Sequence, residues 1–157
     1  QGPECYCYPN TVLKNFIENL AAGYKFVVMD NEAGMEHLSR KTTEDVDVLL
    51  LVSNHTVKGV RAIARIKELV IALKLNVKQQ IVIVNNVQGK LDELVAQELA
   101  HLGFEADVIV PTDEELYRDD LAQKPLLTMS DNSPAVKAIN KMMDDTLNPV
   151  PSLNRLN

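Results

Sequence analysis

A pair of cysteines near the start of the chain is the first group that could do chemistry. Cys5 and Cys7 are the only two cysteines in the sequence, and a single residue separates them. This spacing is too short for an ordinary disulfide staple. Two thiolates can instead chelate one soft metal ion and supply half of a tetrahedral site, which the same pair in a second subunit could complete. The residues alone leave metal binding and free thiols both open.

A carboxylate and a glycine follow the first apolar run of the chain. The run Phe26–Met29 ends at Asp30, and Gly34 lies four residues further on. Phosphate-binding ATPases present a carboxylate to Mg²⁺ at the end of a buried strand, and a glycine lets the backbone approach the terminal phosphate. An aspartate that merely ends a strand at a loop is the alternative. Asp30 and Gly34 are therefore candidate catalytic residues for phosphoryl chemistry.

Polar residues also follow two later apolar runs. The carboxyl ends of parallel strands form the edge at which open α/β sheets bind ligands, and an asparagine amide can pair with a purine through a donor and an acceptor. Such residues can equally form turns. The candidate nucleotide-binding positions are Asn85 and Asn86 after one run, and Pro111, Thr112 and Asp113 after the other.

The elements that must position these residues alternate between strands and helices. The apolar runs are continuous rather than alternating, which is typical of strands buried on both faces of a parallel sheet. The pattern therefore predicts an α/β domain with a mostly parallel sheet, followed by a loosely attached tail over 148–157. The predicted strands are 25–30, 47–53, 80–85 and 107–110, and the predicted helices are 11–22, 56–75, 90–102, 113–121 and 133–147.

Composition disfavours several classes of protein. The chain is 46% hydrophobic and 24% charged, as in an ordinary soluble domain. Sixteen basic residues against 22 acidic ones give a net charge of −6, which disfavours nucleic acid and anionic membranes as partners. The sequence has no apolar stretch of membrane-spanning length and no secretory signal pattern, so we expect a cytoplasmic location. The start at Gln1 rather than Met suggests further residues upstream.

Taken in order, these segments resemble the MinD/ParA-like ATPases with deviant P-loops, and among them the CooC-type accessory ATPases that insert nickel into carbon monoxide dehydrogenase. The resemblance spans 2–147 and implies a three-layer P-loop NTPase-like fold, of which 1–147 would be the C-terminal part of a single ATPase domain. The segments that carry it are Glu4-Cys5-Tyr6-Cys7, the stretch 27–38 with Asp30-Asn31-Glu32-Ala33-Gly34, Val84-Asn85-Asn86-Val87, Pro111-Thr112-Asp113, Lys124-Pro125-Leu126 and Ser133-Pro134-Ala135.

The resemblance implies roles at an ATP/ADP site with Mg²⁺. The aspartate matching Asp30 lies at the Mg·ATP site, and the loop through Gly34 senses the terminal phosphate. The asparagine matching Asn85 contacts adenine, and the backbone around Pro111 borders the base. Asn86 departs from the family, which often has lysine or arginine there, so the contact made at this position is expected to differ.

The resemblance also implies a metal site and partners. Cys5 and Cys7 would hold Zn or Ni between the two subunits of a homodimer that ATP promotes. Carbon monoxide dehydrogenase would be the client that receives the nickel.

A larger departure concerns the phosphates. No glycine-rich loop followed by Lys and Ser/Thr occurs in the sequence, so this chain is not expected to hydrolyse ATP alone. The family carries that loop and its first strand at the N-terminus, and we therefore expect a fragment, a split gene product or a remnant.

Three hypotheses follow: the metal-binding and nucleotide-base half of a nickel-insertion ATPase, a partitioning or positioning ATPase, and a degenerate metal-chaperone module that does not turn over ATP. The tail lacks a basic amphipathic helix, which disfavours the second.

Overall fold

The computed structural model describes residues 22–31 and 45–147, together with Val12, Phe16, Asn19 and Leu20. These four positions are helical, in agreement with the helix predicted over 11–22. The Gly23 N–H donates to the Leu20 carbonyl at 3.0 Å, at the predicted end of that helix. Ala22 lies in the turn that follows, and the rest of the predicted helix and the tail lie outside the described residues.

Strands and helices alternate along residues 45–147, as predicted. The predicted strands 47–53 and 80–85 are confirmed and are longer in the structure, the predicted strand 107–110 is confirmed with a shift of one residue, and the four helices match the predicted ones closely. The 3₁₀ turn was not predicted. The elements are β1 (Asp45–Asn54), α1 (Val57–Ala72), β2 (Asn76–Val87), α2 (Glu93–His101), β3 (Val108–Pro111), α3 (Glu114–Leu121), a 3₁₀ turn (Leu126–Thr128) and α4 (Pro134–Leu147).

The three strands form one sheet in the order β1-β2-β3. Strands β2 and β3 are parallel, with Ile83 opposite Val108 and Val84 opposite Ile109. A helix connects each strand to the next, as parallel pairing requires. The α/β class with a parallel sheet is therefore confirmed.

The described residues fall into two compact units. One contains Leu50–Ala64 and Gln80 onward, and the other contains the residues up to Leu49 and Arg65–Gln79. In the first unit β2 is buried on both faces, because the four consecutive residues 81–84 are at most 5% exposed. Helix α4 packs on β3. Other core residues of this unit are Leu51, Val60, Ile63, Val87, Val95, Leu99, Val110, Ala135 and Met142.

Strand β1 departs from the prediction that each strand is buried on both faces. Leu51 is 1% exposed and Ser53 6%, whereas Leu50 is 41% and Val52 55% exposed. This alternation shows that the described residues cover only one face of β1 there. The buried Ser53 hydroxyl has no hydrogen-bond partner among the described residues.

The strand predicted over 25–30 is a second correction. Residues 26–31 have no regular secondary structure, and Phe26, Val27 and Val28 are exposed. An apolar run becomes a strand only where a neighbouring strand exchanges backbone hydrogen bonds with it, and no sequence pattern names that neighbour.

Helices α1, α2 and α3 end in the same hydrogen-bonded geometry, which α1 forms through the Lys74 and Leu75 N–H groups. After α2 the Gly103 N–H donates to the Ala100 carbonyl and the next N–H donates to the Leu99 carbonyl, at 3.0 and 2.9 Å. After α3 the Gln123 N–H donates to the Asp120 carbonyl at 3.0 Å, and the next N–H donates to the carbonyl of residue 119. All three are Schellman motifs, which need a positive φ at their central position. That φ is 75° at Gly103 and 54° at Gln123.

Gln123→Gly is therefore expected to stabilise the protein. Glycine adopts positive φ without the steric penalty of a side chain, so the free energy of unfolding should rise by about 0.5–1 kcal/mol. Urea unfolding measures this change. The reverse exchange, Gly103→Gln, is the matched control and should lower stability by a similar amount. A less stable Gln123→Gly protein would contradict the prediction.

Candidate functional site

Three loops follow the carboxyl ends of the three strands, along one edge of the sheet. All three belong to the same compact unit. They are the β1–α1 loop at 55–56, the β2–α2 loop that begins after Val87, and the β3–α3 loop at 112–113. This is the edge at which open α/β sheets bind ligands.

Strand β2 ends in a bulge that contains both candidate asparagines. The pairing advances from Val84 opposite Ile109 to Val87 opposite Pro111, so β2 carries one extra residue there. Asn86 adopts φ 61°, and its N–H donates to the Asn85 Oδ1 at 2.9 Å. Asparagine tolerates this left-handed conformation better than other residues with side chains. The bulge turns both exposed asparagines out of the ladder while Val87 stays buried.

Asn85 keeps hydrogen-bonding capacity for a ligand. One lone pair of Oδ1 accepts from the Asn86 N–H, and an asparagine amide offers a second lone pair and two N–H donors. A donor and an acceptor side by side match the edge of a purine. The structure therefore exposes Asn85 at the carboxyl edge of the sheet, and its contact with adenine stays a prediction.

The β3–α3 loop is tied to the end of β2. The Thr112 N–H donates to the Val87 carbonyl at 3.0 Å, which continues the pairing of Val87 with Pro111 by one residue. Thr112 is exposed and Pro111 is half-buried. The structure thus brings the candidate residues of β2 and β3 to adjacent strand ends.

Asp113 has a different environment from its neighbours, because it is only 9% exposed. Its Oδ1 accepts from the N–H groups of Glu115 and Leu116 in the first turn of α3, at 2.9 and 3.3 Å. Its Oδ2 accepts from the Ser133 hydroxyl and from the Ala135 N–H at the start of α4. One carboxylate therefore caps the N-termini of two helices.

These contacts favour the ionised form of the carboxyl. The Ser133 hydroxyl contributes most, and the backbone N–H groups of Ala135, Leu116 and Glu115 add to it, so the pKa of Asp113 lies below its usual value although burial opposes the shift. Nucleotide contact by Asp113 stays a prediction, and the structure gives its carboxylate a capping role as well. Ser133 begins the helix predicted over 133–147, but no sequence pattern linked that position to Asp113, 20 residues away.

The β1–α1 loop carries contacts that the sequence analysis missed. Thr56 Oγ1 accepts from the Gly59 N–H at 3.0 Å and donates to the Asn54 Oδ1 at 2.7 Å. The His55 Nε2 accepts from the Asp92 N–H at 2.8 Å, which ties this loop to the one that precedes α2. The available signal was the position of Asn54, which follows an apolar run just as Asn85 does.

Gly59 lies against the Asn54 side chain. A Cβ on Gly59 would overlap the Asn54 Oδ1 and would fall 3.0 Å from the Asn54 carbonyl oxygen. Gly59→Ala is therefore expected to lose about 1–3 kcal/mol of stability through this overlap, although alanine is the better helix former.

A double-mutant cycle with Asn54→Ala measures the coupling. In the Asn54→Ala background the main clash is gone, so Gly59→Ala should be less destabilising by about 1–2 kcal/mol. Chemical denaturation of the four proteins gives the value. Equal effects of Gly59→Ala in both backgrounds would show that Asn54 does not set the requirement for glycine.

Asp30 is the only other predicted site residue that the structure describes. Asp30 lies in the other compact unit and is exposed. Gly34, Cys5 and Cys7 lie outside the described residues. Within the described ranges no three His, Cys, Asp or Glu side chains are grouped to hold a metal ion. The metal site at the cysteines therefore stays a prediction.

An open cleft of about 580 Å³ lies beside α3 and the 3₁₀ turn. The Lys124 ammonium makes an ion pair with the Asp119 carboxylate at 2.9 Å on its wall. None of the candidate nucleotide-binding residues lines it. The lining residues are Glu115, Arg118, Asp119, Lys124, Pro125 and Thr128.

Comparison with solved structures decides the fold. The MinD cell division protein of Aquifex aeolicus superposes with a TM-score of 0.68 at 18% sequence identity, over 93% of this chain and 64% of that one. The chain has a MinD-like P-loop NTPase fold. This fold accounts for the parallel sheet and for the arrangement of the strand ends described above.

Two relatives from Methanocaldococcus jannaschii are similar in sequence as well. Both are uncharacterized ATP-binding proteins and both are 34% identical to this chain, over 148 residues in one and 145 in the other. The alignments cover 94% and 91% of this chain but 58% and 54% of the relatives. The chain therefore spans somewhat more than half the length of these relatives. No family model matches the sequence.

The structural similarity confirms the MinD-like fold that the resemblance implied, and the two relatives in sequence are ATP-binding proteins. These similarities do not show nickel insertion, a metal at Cys5 and Cys7 or a homodimer. No helix within the described residues has both the length and the apolar character needed to cross a membrane.

Proposed function

We propose that the protein binds ATP at the carboxyl edge of its sheet, as the nucleotide-base part of a MinD/ParA-like ATPase. The observation that carries the proposal is the bulged end of β2, which exposes Asn85 beside the Thr112 backbone at the end of β3. The ATP-binding relatives and the MinD-like fold support it.

The residues at this edge fit the base end of a nucleotide. Asn85 offers N–H donors and a free lone pair, which complement a ring nitrogen and the exocyclic amino group of adenine. The sequence offers no glycine-rich phosphate loop, so the residues present do not form a complete triphosphate cradle. The proposed role of this chain is therefore recognition of the base. Asp30 and Gly34 are the proposed contacts to Mg²⁺ and the terminal phosphate, and Mg²⁺ would supply charge neutralisation there.

The finer proposal is a metallocentre-maturation ATPase of the CooC type. Cys5 and Cys7 would capture nickel, or zinc in its place, as cargo for carbon monoxide dehydrogenase, with four thiolates provided by a homodimer. ATP can drive such a cycle only if it binds the closed dimer more tightly than the separated subunits, because a ligand that is indifferent to two states shifts neither. The support is the Cys-x-Cys element upstream of Asp30.

ATP binding by wild type and Asn85→Ala tests the proposal. We expect wild type to bind ATP in preference to GTP, and Asn85→Ala to bind ATP about tenfold more weakly through loss of the amide contacts. Isothermal titration calorimetry gives both affinities. Asn76→Ala is the matched control, since it removes the same residue type from the opposite end of β2 and should leave ATP affinity unchanged. Wild type that does not bind ATP, or an unchanged affinity in Asn85→Ala, would refute the proposal.

A positioning ATPase is the second candidate, and the MinD-like fold is the observation that favours it. That function predicts ATP-dependent flotation of the protein with anionic vesicles. The maturation ATPase predicts none, and the net charge of −6 also disfavours an anionic surface. Flotation assays with and without ATP separate the two.

A further inference from the structure

We infer that Asp113 positions the nucleotide base without touching it. Its buried carboxylate anchors the backbone of the adjacent Thr112, at the carboxyl edge of the sheet where the base would bind. The inference rests on the proposed function and deepens it, because it assigns Asp113 to the site through another residue.

The first step is the occupancy of the carboxylate. An ionised carboxylate has about four acceptor positions. Four donors already fill them, two from α3 on Oδ1 and two from Ser133 and Ala135 on Oδ2. A base could gain a hydrogen bond from Asp113 only by displacing one of these donors. Direct recognition by this side chain is therefore disfavoured.

The second step is the direction of the backbone. Asp113 is extended, with φ −135° and ψ 117°. Adjacent residues of an extended backbone point to opposite sides. With Asp113 anchored inward against two helix N-termini, Thr112 faces outward, and it is exposed.

The third step is the connection to the candidate base-contacting residue. The Thr112 N–H donates to the Val87 carbonyl at 3.0 Å, and Val87 is the buried residue that closes the Asn85–Asn86 bulge. The anchor at Asp113 thus fixes where Thr112 stands relative to Asn85. Small displacements of groups that position a ligand can weaken their effect by large factors.

Two variants loosen the anchor to different degrees. Asp113→Asn keeps Oδ1 for α3 but places an N–H₂ group where Ala135 and Ser133 donate. Ser133→Ala removes a single donor and retains the carboxylate, so it serves if the first variant folds poorly. Gly103→Ala is the control, because it strains a positive φ in the turn between α2 and β3, away from the strand ends that form the site.

The experiment combines hydrogen exchange with binding. Without nucleotide, we expect the Thr112 amide to exchange about tenfold faster in Asp113→Asn than in wild type, while the Asp107 amide, bonded to the Val82 carbonyl at the start of β3, is unchanged. With nucleotide, we expect ATP to bind about tenfold more weakly to Asp113→Asn than to wild type. Ser133→Ala should show smaller changes of both kinds. Gly103→Ala should change neither the Thr112 exchange rate nor the ATP affinity.

The outcomes separate the inference from the proposed function. Unchanged Thr112 exchange, or equal acceleration at Thr112 and Asp107, would overturn the anchoring role whatever the protein binds. Weaker ATP binding with unchanged Thr112 exchange would overturn it in favour of direct contact. If Thr112 exchanges faster in Asp113→Asn but wild type binds no ATP, the proposed function is refuted. The positioning role is then refuted as well, because no base is bound.

Discussion

Asp113→Ala is expected to lower the Tm of the protein by about 5–12 °C, since one substitution removes a capping acceptor from each of two helices. The carboxylate accepts from the first turns of both α3 and α4, and those N–H groups would lose their acceptor in a site that is largely closed to water. Differential scanning calorimetry measures the change. Asp92→Ala is the control, because Asp92 is exposed and its carboxylate accepts from one N–H of α2, so its effect should be clearly smaller.

The same carboxylate makes stability depend on acid. The pKa of Asp113 is lower in the folded protein than in the unfolded chain, mainly because the Ser133 hydroxyl donates to it. Its contribution is therefore complete above the unfolded-state pKa, which is about 3.9 for an aspartate, and it is lost as the pH falls through the lower folded-state pKa. We expect the wild-type Tm to fall more steeply than that of Asp113→Asn below about pH 4. Parallel slopes for the two proteins in that range would contradict this assignment.

Cys5→Ser/Cys7→Ser is expected to weaken metal binding at least about a hundredfold. Replacing residues that only support the ligands already lowers metal affinity about 10- to 100-fold, so loss of the ligands themselves should cost at least as much. Hydroxyls are poor substitutes for thiolates toward soft divalent metals. Native mass spectrometry with and without ATP measures metal content and oligomeric mass together. The proposed maturation ATPase predicts one metal per ATP-stabilised dimer of wild type and none in the double variant.

Tyr6→Phe is the control for the cysteine experiment. It changes the residue between the two thiols and keeps both of them, so metal content should match wild type. Metal-free wild type that still dimerises with ATP would remove the maturation proposal and favour the positioning ATPase. Equal metal content in the double variant and wild type would place any metal elsewhere in the protein.

Local sequence patterns predicted the elements from residue 47 onward. The run Ile81–Val84 is continuous and apolar because β2 is buried on both faces, and this is a property of the segment itself. The helices were predictable for the same reason, since apolar periodicity and capping residues such as Ser133 are local signals. The position of Asn85 at a strand end followed directly from the end of its apolar run.

Patterns failed where the structure depends on a distant neighbour. Residues 25–30 read as a strand but form none, because a strand requires hydrogen bonds with another segment. Strand β1 read as buried on both faces, yet Val52 is exposed, because burial depends on which helix covers each face. In the β1–α1 loop, the close approach of Gly59 to Asn54 was equally invisible in the sequence.

The sequence by itself determined the α/β class, the order of the elements and the polar residues that end each strand, because hydrophobic period and chain direction are encoded locally. The tertiary structure alone decided how those strand ends work together. The extra residue in β2 makes Asn85 face outward, and the Asp113 carboxylate caps the N-termini of two helices. Hydrogen bonds between residues 20 or more positions apart join groups that only the folded chain brings within reach, and no local pattern specifies them.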